Sequence, residues 1–293
     1  VIRLSAEVEA ALEAHGPVVA LETTLVAHGF PPGVGLEVGL AAEQELRAAG
    51  ATPASVGVLD GSVVVGLSAA ELSRFDQTAL KAGPRDLAAA AVSGSVGATT
   101  VGGTLVACRQ AGLRFMATGG LGGVHRGWPQ PPDVSADLEL IARTPVLLTS
   151  AGVKSILDVA ATGELLETLG VPVLGWRSEE MPRFYSAGGG PPVSARVEDA
   201  AQAARIASAH WRLGGGGLLL TRAPDESLEQ VEALISEALA EADARGIHGK
   251  AITPFVLGRL NELSGGETQR VNRALVLGNA RLAGEVAVAA AAG

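Results

Sequence analysis

Short apolar runs that end in a polar or glycine-rich loop and pass into a helix-period segment recur along this 293-residue chain. That alternation limits the fold more than any other feature. Its clearest instance is Val146-Leu147-Leu148-Thr149-Ser150-Ala151-Gly152-Val153-Lys154-Ser155-Ile156-Leu157-Asp158. The apolar start predicts a buried strand, the small residues a turn, and Lys154 the opening of a helix that runs to 169. Similar runs at 18–21, 113–117, 171–174 and 217–221 predict further strands. Helices are expected at 5–15 with Ser5 as N-cap, 35–49, 68–74, 197–213, 226–245, 254–263 and from Glu267 onward. Asp60-Gly61 predicts a hairpin between 55–59 and 62–65. Residues 80–86 are expected as a loop, 97–104 as the opening of a helix, and 133–142 as a helix starting near Asp133. The order favours an α/β fold, a three-layer αβα arrangement around a mostly parallel sheet, in a single domain over 1–293. A chain 47% hydrophobic but only 3% aromatic must build its core from Ala, Val and Leu, which suits helices packed on such a sheet.

Charge and cysteine usage exclude several function classes. A net charge of −9 argues against a surface for polymeric nucleic acid, although a local phosphate site remains compatible with it. The single cysteine, Cys108, excludes an internal disulfide framework and a Cys-rich zinc site, and its apolar neighbours predict a buried thiol. No uninterrupted apolar run comes near the roughly 18 residues a bilayer span needs, and the start of the chain does not resemble a signal peptide. The expectation is a cytoplasmic protein without a membrane partner.

Lys81, Lys154 and Lys250 are the only lysines among 22 basic residues. One of them is thus kept at the end of an apolar strand, where ligands dock on open α/β sheets. Desolvation and a helix N-terminus would both favour its neutral amine, which can attack a carbonyl as an arginine cannot. A lysine snorkelling from a helix start is the plainer alternative. Glu22 closes another apolar run, as a site acid or a solvated strand end. Glycine-rich loops that lead into helices suit an anionic ligand, yet none has the spacing of a P-loop or of a dinucleotide fingerprint. His15, His210 and His248 have the character of structural or exposed residues.

Taken together, these stretches resemble the pseudouridine-5'-phosphate glycosidase family, also called the indigoidine synthase A-like family. The matching segments are Ala20-Leu21-Glu22-Thr23-Thr24 with His28-Gly29-Phe30-Pro31, the run from Gly119 to Gly127, 133–138, and Ser150 to Asp158. Gly249-Lys250-Ala251-Ile252-Thr253-Pro254-Phe255 and the stretch from Asn272 through Asn279-Ala280-Arg281 complete the set. The resemblance runs from about residue 3 to residue 290. It implies an enzyme of the carbon–oxygen lyase class, hydro-lyase type, that reversibly cleaves pseudouridine 5'-phosphate to uracil and ribose 5-phosphate. By the same resemblance Lys154 forms the imine with the sugar, Glu22 donates a proton, and Lys81, Val101 and Ser135, Ala136 and Asp137 bind substrate. Asp133 would hold one divalent metal ion, usually Mn2+, and the assembly would be a homotrimer to which the Ala-rich C-terminal helix could contribute. Asn272 is the choice for the base-contacting asparagine, with Asn279 its rival. His125 is a candidate contact to uracil or phosphate.

The implied chemistry suits these residue types. A C–C glycosidic bond has no leaving heteroatom to protonate, so hydrolysis by two carboxylates does not apply directly. Opening the furanose and forming an imine at C1' supplies an electron sink, and an acid such as Glu22 can protonate the ring oxygen. Two other readings share some of these features: a Schiff-base aldolase acting on another sugar phosphate, and a non-catalytic sugar-phosphate or nucleotide sensor. The stretches 81–86 and 97–104 depart from the family pattern, which bears on phosphate affinity.

Overall fold

A computed structural model describes residues 2–127, 133–228, 230–247 and 249–293. His248 and the side chain of Lys250 lie outside the described residues. The chain opens with β1 (Ile2–Leu4), α1 (Ala6–Glu13), β2 (Val18–Glu22), α2 (Thr24–His28), α3 (Val34–Ala48), β3 (Thr52–Leu59) and β4 (Ser62–Val65). Then come α4 (Ala69–Leu72), β5 (Leu80–Ala82), α5 (Leu87–Val92), β6 (Gly97–Thr99), α6 (Val101–Ala111) and β7 (Phe115–Ala117). The middle holds β8 (Val124–His125), α7 (Asp137–Arg143), β9 (Leu147–Ser150), β10 (Leu157–Asp158), α8 (Val159–Thr168), β11 (Val173–Trp176) and β12 (Ala195–Val197). It ends with α9 (Ala200–Arg212), β13 (Leu218–Thr221), α10 (Val231–Ala244), α11 (Ile252–Leu263) and α12 (Glu267–Ala291).

Local chemistry accounts for several boundaries. Ser5 caps α1 by accepting the Val8 amide, and Asp199 caps α9 by accepting that of Gln202. Asp60 and Gly61 both have positive φ, 48° and 78°, the backbone that a tight hairpin between β3 and β4 requires.

One sheet runs in the order β1-β4-β3-β2-β7-β9-β13-β11-β12, with β6 joined to β3 and β5 to β6. Its pairs are parallel except β3–β4 and β3–β6. Helices cover both faces. Val8 of α1, Leu105 of α6, Leu138 and Ile141 of α7, Leu166 of α8 and Ile235 of α10 fill one side. Val38, Ala42 and Leu46 of α3, Ala203 and Ala207 of α9 and Val276, Ala283 and Val286 of α12 fill the other. The three-layer αβα expectation therefore holds. Strand order places the ligand site as well. From β2 the chain adds β3 on one side and later returns to place β7 on the other, so the crevice at the C-terminal ends of β2 and β7 is the topological switch point.

Four expectations are corrected. Residues 80–82 and 97–99 form the paired strands β5 and β6, not a loop and a helix start. The helix expected from Asp133 starts at Asp137, with Ala136 in the N-cap position. No helix opens at Lys154: its amide bonds the Leu121 carbonyl at 3.1 Å, and β10 pairs antiparallel with β8. Tertiary pairing with the glycine-rich loop thus overrides the local helical pattern, and α8 starts at Val159 under an Asp158 cap. Finally, α12 is by length and composition apolar enough to cross a membrane, but half of that stretch is buried inside this protein. Cys108 is buried, and burial pushes its thiol up to about 12.

Candidate active site

A cavity of about 630 Å³ opens at the switch point. It brings together ten of the residues singled out in the sequence, Glu22, Lys81, Val101, His125, Asp133, Ser135, Ala136, Asp137, Lys154 and Asn272, but not Asn279. A larger opening, about 880 Å³, lies at the opposite edge of the sheet among Leu12, Arg114, Trp211 and Ala290. No lysine, carboxylate side chain or thiol lines it, so the chemistry belongs to the smaller cavity.

Glu22 ends β2 and is 7% exposed. Thr24 of α2 and Thr118 at the end of β7 donate their hydroxyl protons to its two oxygens, Oε2 and Oε1. Lys154 sits opposite, on a loop joined to the glycine-rich segment through Leu121 and Val153. That loop also fixes Phe184, whose amide bonds the Ala151 carbonyl at 3.1 Å. Phe184 adopts φ 59°, rare for an aromatic residue and worth about 1–3 kcal/mol of strain. Its ring packs over Gly120, where a Cβ would come within 2.6 Å of it and 3.2 Å of Lys154 Cγ. Gly119, Gly120, Gly122 and Gly123 all lack positive φ. Gly120 is needed here for space rather than for an unusual backbone.

A second end of the cavity is built around the start of α6. Thr100 caps the helix by accepting the Gly103 amide, and Asp137 Oδ1 takes the Gly102 amide at 2.7 Å. The Val101 side chain is buried, so at this helix start it is the backbone N–H and not the side chain that is of the kind to meet an anion. Asp137 Oδ2 also accepts the Gly122 amide at 3.0 Å, so this buried carboxylate ties α6 to the glycine-rich loop. Lys81 of β5 faces the same space, with Arg85 at the rim.

His125 and His28 also line the cavity, and both are held below the usual histidine range, chiefly by burial. Lys81 pushes each further down, and Lys154 adds to this at His125 against the opposing pull of Asp133. Both rings are therefore neutral near pH 7. His125 Nδ1 stands 3.7 Å from Asp133 Oδ2, beyond hydrogen-bond reach.

A metal ion can be tested against the donors present. Among the described residues no cluster of three or more potential ligands occurs, which excludes a site of the tetrahedral zinc kind there. Glu22 is held by hydroxyls, Asp137 by amides, Asp86 by the Gly83 amide and Glu139 by Arg143. Among the described residues the Asp133 carboxylate has only the distant His125. One uncommitted carboxylate at a polar cavity fits a hard divalent ion that keeps most of its waters.

The structure separates the two asparagines. Asn272 lines the cavity, whereas Asn279 is fully buried and donates to the Thr118 and Gly119 carbonyls at 2.8 and 3.3 Å. Sequence reasoning missed Thr24, Thr118, His28 and Phe184. Only the Glu22-Thr23-Thr24 run and the Thr118 loop carried a signal for the first two. Nothing local marks Phe184.

Comparison with known proteins agrees with this picture. Residues 7–289 match the family model described as indigoidine synthase A like protein. A protein of Myxococcus xanthus named pseudouridine-5'-phosphate glycosidase is 45% identical over 296 residues, covering 98% of each chain. One of the same name from Roseiflexus sp. is 48% identical, covering 99% of this chain and 96% of its own. The crystal structure of the prealnumycin C-glycosynthase AlnA in complex with ribulose 5-phosphate superposes with a TM-score of 0.90 at 41% identity, over 100% of this chain and 97% of that one. An indigoidine synthase A-like protein of Thermotoga maritima gives 0.88 at 34% identity, over 98% and 96%.

Proposed function

The chain belongs to the family of indigoidine synthase A-like proteins, and from that membership we propose that it is a pseudouridine-5'-phosphate glycosidase. It cleaves the C–C glycosidic bond of pseudouridine 5'-phosphate to uracil and ribose 5-phosphate, reversibly. The observation that carries this reading is Lys154 and a hydroxyl-held Glu22 lining one cavity whose far side offers the α6 terminus and Lys81. Relatives 45% and 48% identical over nearly their full length bear that name, which supports it further.

In the reaction we propose, the Lys154 amine bonds to C1' as the ring oxygen leaves with a proton from Glu22. The nitrogen lone pair then expels uracil C5, which takes up a proton, and the lysine is left as an imine of the opened sugar. Water hydrolyses that imine, returning the amine and releasing ribose 5-phosphate. Lys81 and the Val101 amide hold the phosphate, Ser135 and Ala136 border the sugar, and the neutral His125 and Asn272 offer polar atoms to the base. Asp137 acts by keeping Val101 and the glycine-rich loop in register. Asp133 would hold a divalent ion, Mn2+ by family resemblance, which supplies positive charge against the anionic substrate. We assign the overall reaction to the hydro-lyase class, the working assembly to a homotrimer, and the site of action to the cytoplasm.

The direct test is synthesis of pseudouridine 5'-phosphate from uracil and ribose 5-phosphate with Mn2+, followed by chromatography. Formation of the nucleotide supports the glycosidase; borohydride trapping of ribose 5-phosphate without uracil-dependent product would point to a Schiff-base aldolase instead. Lys154→Ala and Lys154→Arg should both abolish turnover and trapping. A sensor would keep its affinity in Lys154→Ala and show no turnover in the wild type.

A further inference from the structure

The side chain of Glu22 cannot hold itself in place. It ends a strand at the mouth of the sheet, where a glutamate has three rotatable bonds and open space ahead of it. Two hydroxyls fix it. Thr24 lies two residues on in the chain, while Thr118 reaches it from the end of the neighbouring strand β7. Thr118 is 3% exposed and its backbone is fixed in turn. Its amide bonds the Thr149 carbonyl at 3.0 Å, and its carbonyl receives the Asn279 side-chain amide at 2.8 Å. The same amide lies 3.3 Å from the Gly119 carbonyl, which also accepts the Ala151 amide at 2.9 Å. Asn279 stands on α12 inside the core and has no surface of its own. Its Oδ1 has no protein partner among the described residues. What this position contributes is therefore its pair of N–H donors.

We propose that Asn279 and Thr118 form one positioning unit for Glu22, with Asn279 fixing the backbone at the end of β7 and the Thr118 hydroxyl fixing the carboxylate. The unit rests on the reading of Glu22 as proton donor and extends it to two residues that need not touch substrate. Thr24 and Thr118 each donate to one oxygen, which restricts rotation of the carboxyl group about its terminal bond and, in the protonated acid, keeps its O–H directed at the ring oxygen. A proton donor displaced by about 1 Å loses on the order of a hundredfold in rate, while substrate affinity, set by phosphate and base contacts elsewhere, stays the same.

The test uses Thr118→Val, which keeps the branched shape and removes the hydroxyl. It should lower kcat for pseudouridine 5'-phosphate cleavage by about 10- to 100-fold with KM unchanged, and Thr118→Ser should restore most of the loss. Borohydride trapping of Lys154 with ribose 5-phosphate should match the wild type, because that adduct needs the amine and the open-chain aldehyde alone. In a Glu22→Gln background Thr118→Val should cost nothing more, and Asn279→Leu combined with Thr118→Val should be no worse than the more severe single variant. Wild-type kcat in Thr118→Val, an equal loss in trapping, or additivity in either double variant would overturn the inference. If Glu22→Gln is itself impaired, such a result sinks the positioning unit alone. Wild-type kcat in Glu22→Gln removes the proton-donor role and the unit with it.

Discussion

At the scale of single residues, the cavity divides its polar groups into those already committed and those left for a ligand. The carboxylates of Glu22 and Asp137 are held by hydroxyls and amides, and Asn279 is spent on backbone carbonyls. Asn272 lies about two helical turns away on α12 and borders the cavity without a side-chain hydrogen bond among the described residues. Its amide has one donor and one acceptor side, the pattern needed to meet an imide edge such as that of uracil. Asn272→Ala should raise KM for pseudouridine 5'-phosphate by about 10- to 100-fold, the worth of one or two buried hydrogen bonds. Trapping of ribose 5-phosphate, which presents no base, should be unaffected. Steady-state kinetics together with trapping read both arms, and an equal loss in the two would remove the base contact.

At the scale of elements, the site is a set of loops held to one another more than to the helices that follow them. The glycine-rich segment receives the Lys154 amide through Leu121, the Asp137 carboxylate through Gly122 and the Phe184 ring over Gly120. Gly120→Ala adds a Cβ within 2.6 Å of Phe184, which is already in a strained backbone and cannot retreat cheaply. We expect this variant to slow imine formation at Lys154 at least about tenfold, since the ring and the lysine stem share that space. The rate of borohydride-trapped adduct formation measures it. An unaltered rate would show that Phe184 can move without disturbing the lysine.

At the scale of the whole molecule, stability depends on keeping polar groups neutral inside an aliphatic interior. His28 is held below its ordinary value, first by burial and then by Lys81, against the Ala79 carbonyl. The native protein therefore binds fewer protons here than the unfolded chain. Stability from this group is complete above the unfolded value of about 6.5 and is lost as pH falls through and below it. The Tm should accordingly decline from about pH 7 to about pH 5, and His28→Gln should flatten that decline. His125 and His210 shift in the same direction, so the variant reduces the slope and does not abolish it. Glu43 is raised by burial and works the opposite way as its own range is entered. Identical slopes in the two proteins would contradict a neutral His28.

The linear chain by itself settled the layered fold, most helices, the hairpin at Asp60-Gly61 and ten of the residues that line the cavity. Apolar periodicity, cap residues and turn chemistry act within a few positions, and these features are written locally. What local pattern could not decide was the path around Lys154, where a helical sequence is drawn into pairing with β8 and the glycine-rich loop. Nor could it tell Asn272 from Asn279, both on one helix. Seven residues apart, they share one face of α12, and their roles differ by position along it: one reaches the cavity and the other lies in the core beside the Thr118 and Gly119 carbonyls. Thr118 and Phe184 became visible for the same reason: their partners, Glu22 and Gly120, are 96 and 64 residues away, and only folding brings such pairs within reach.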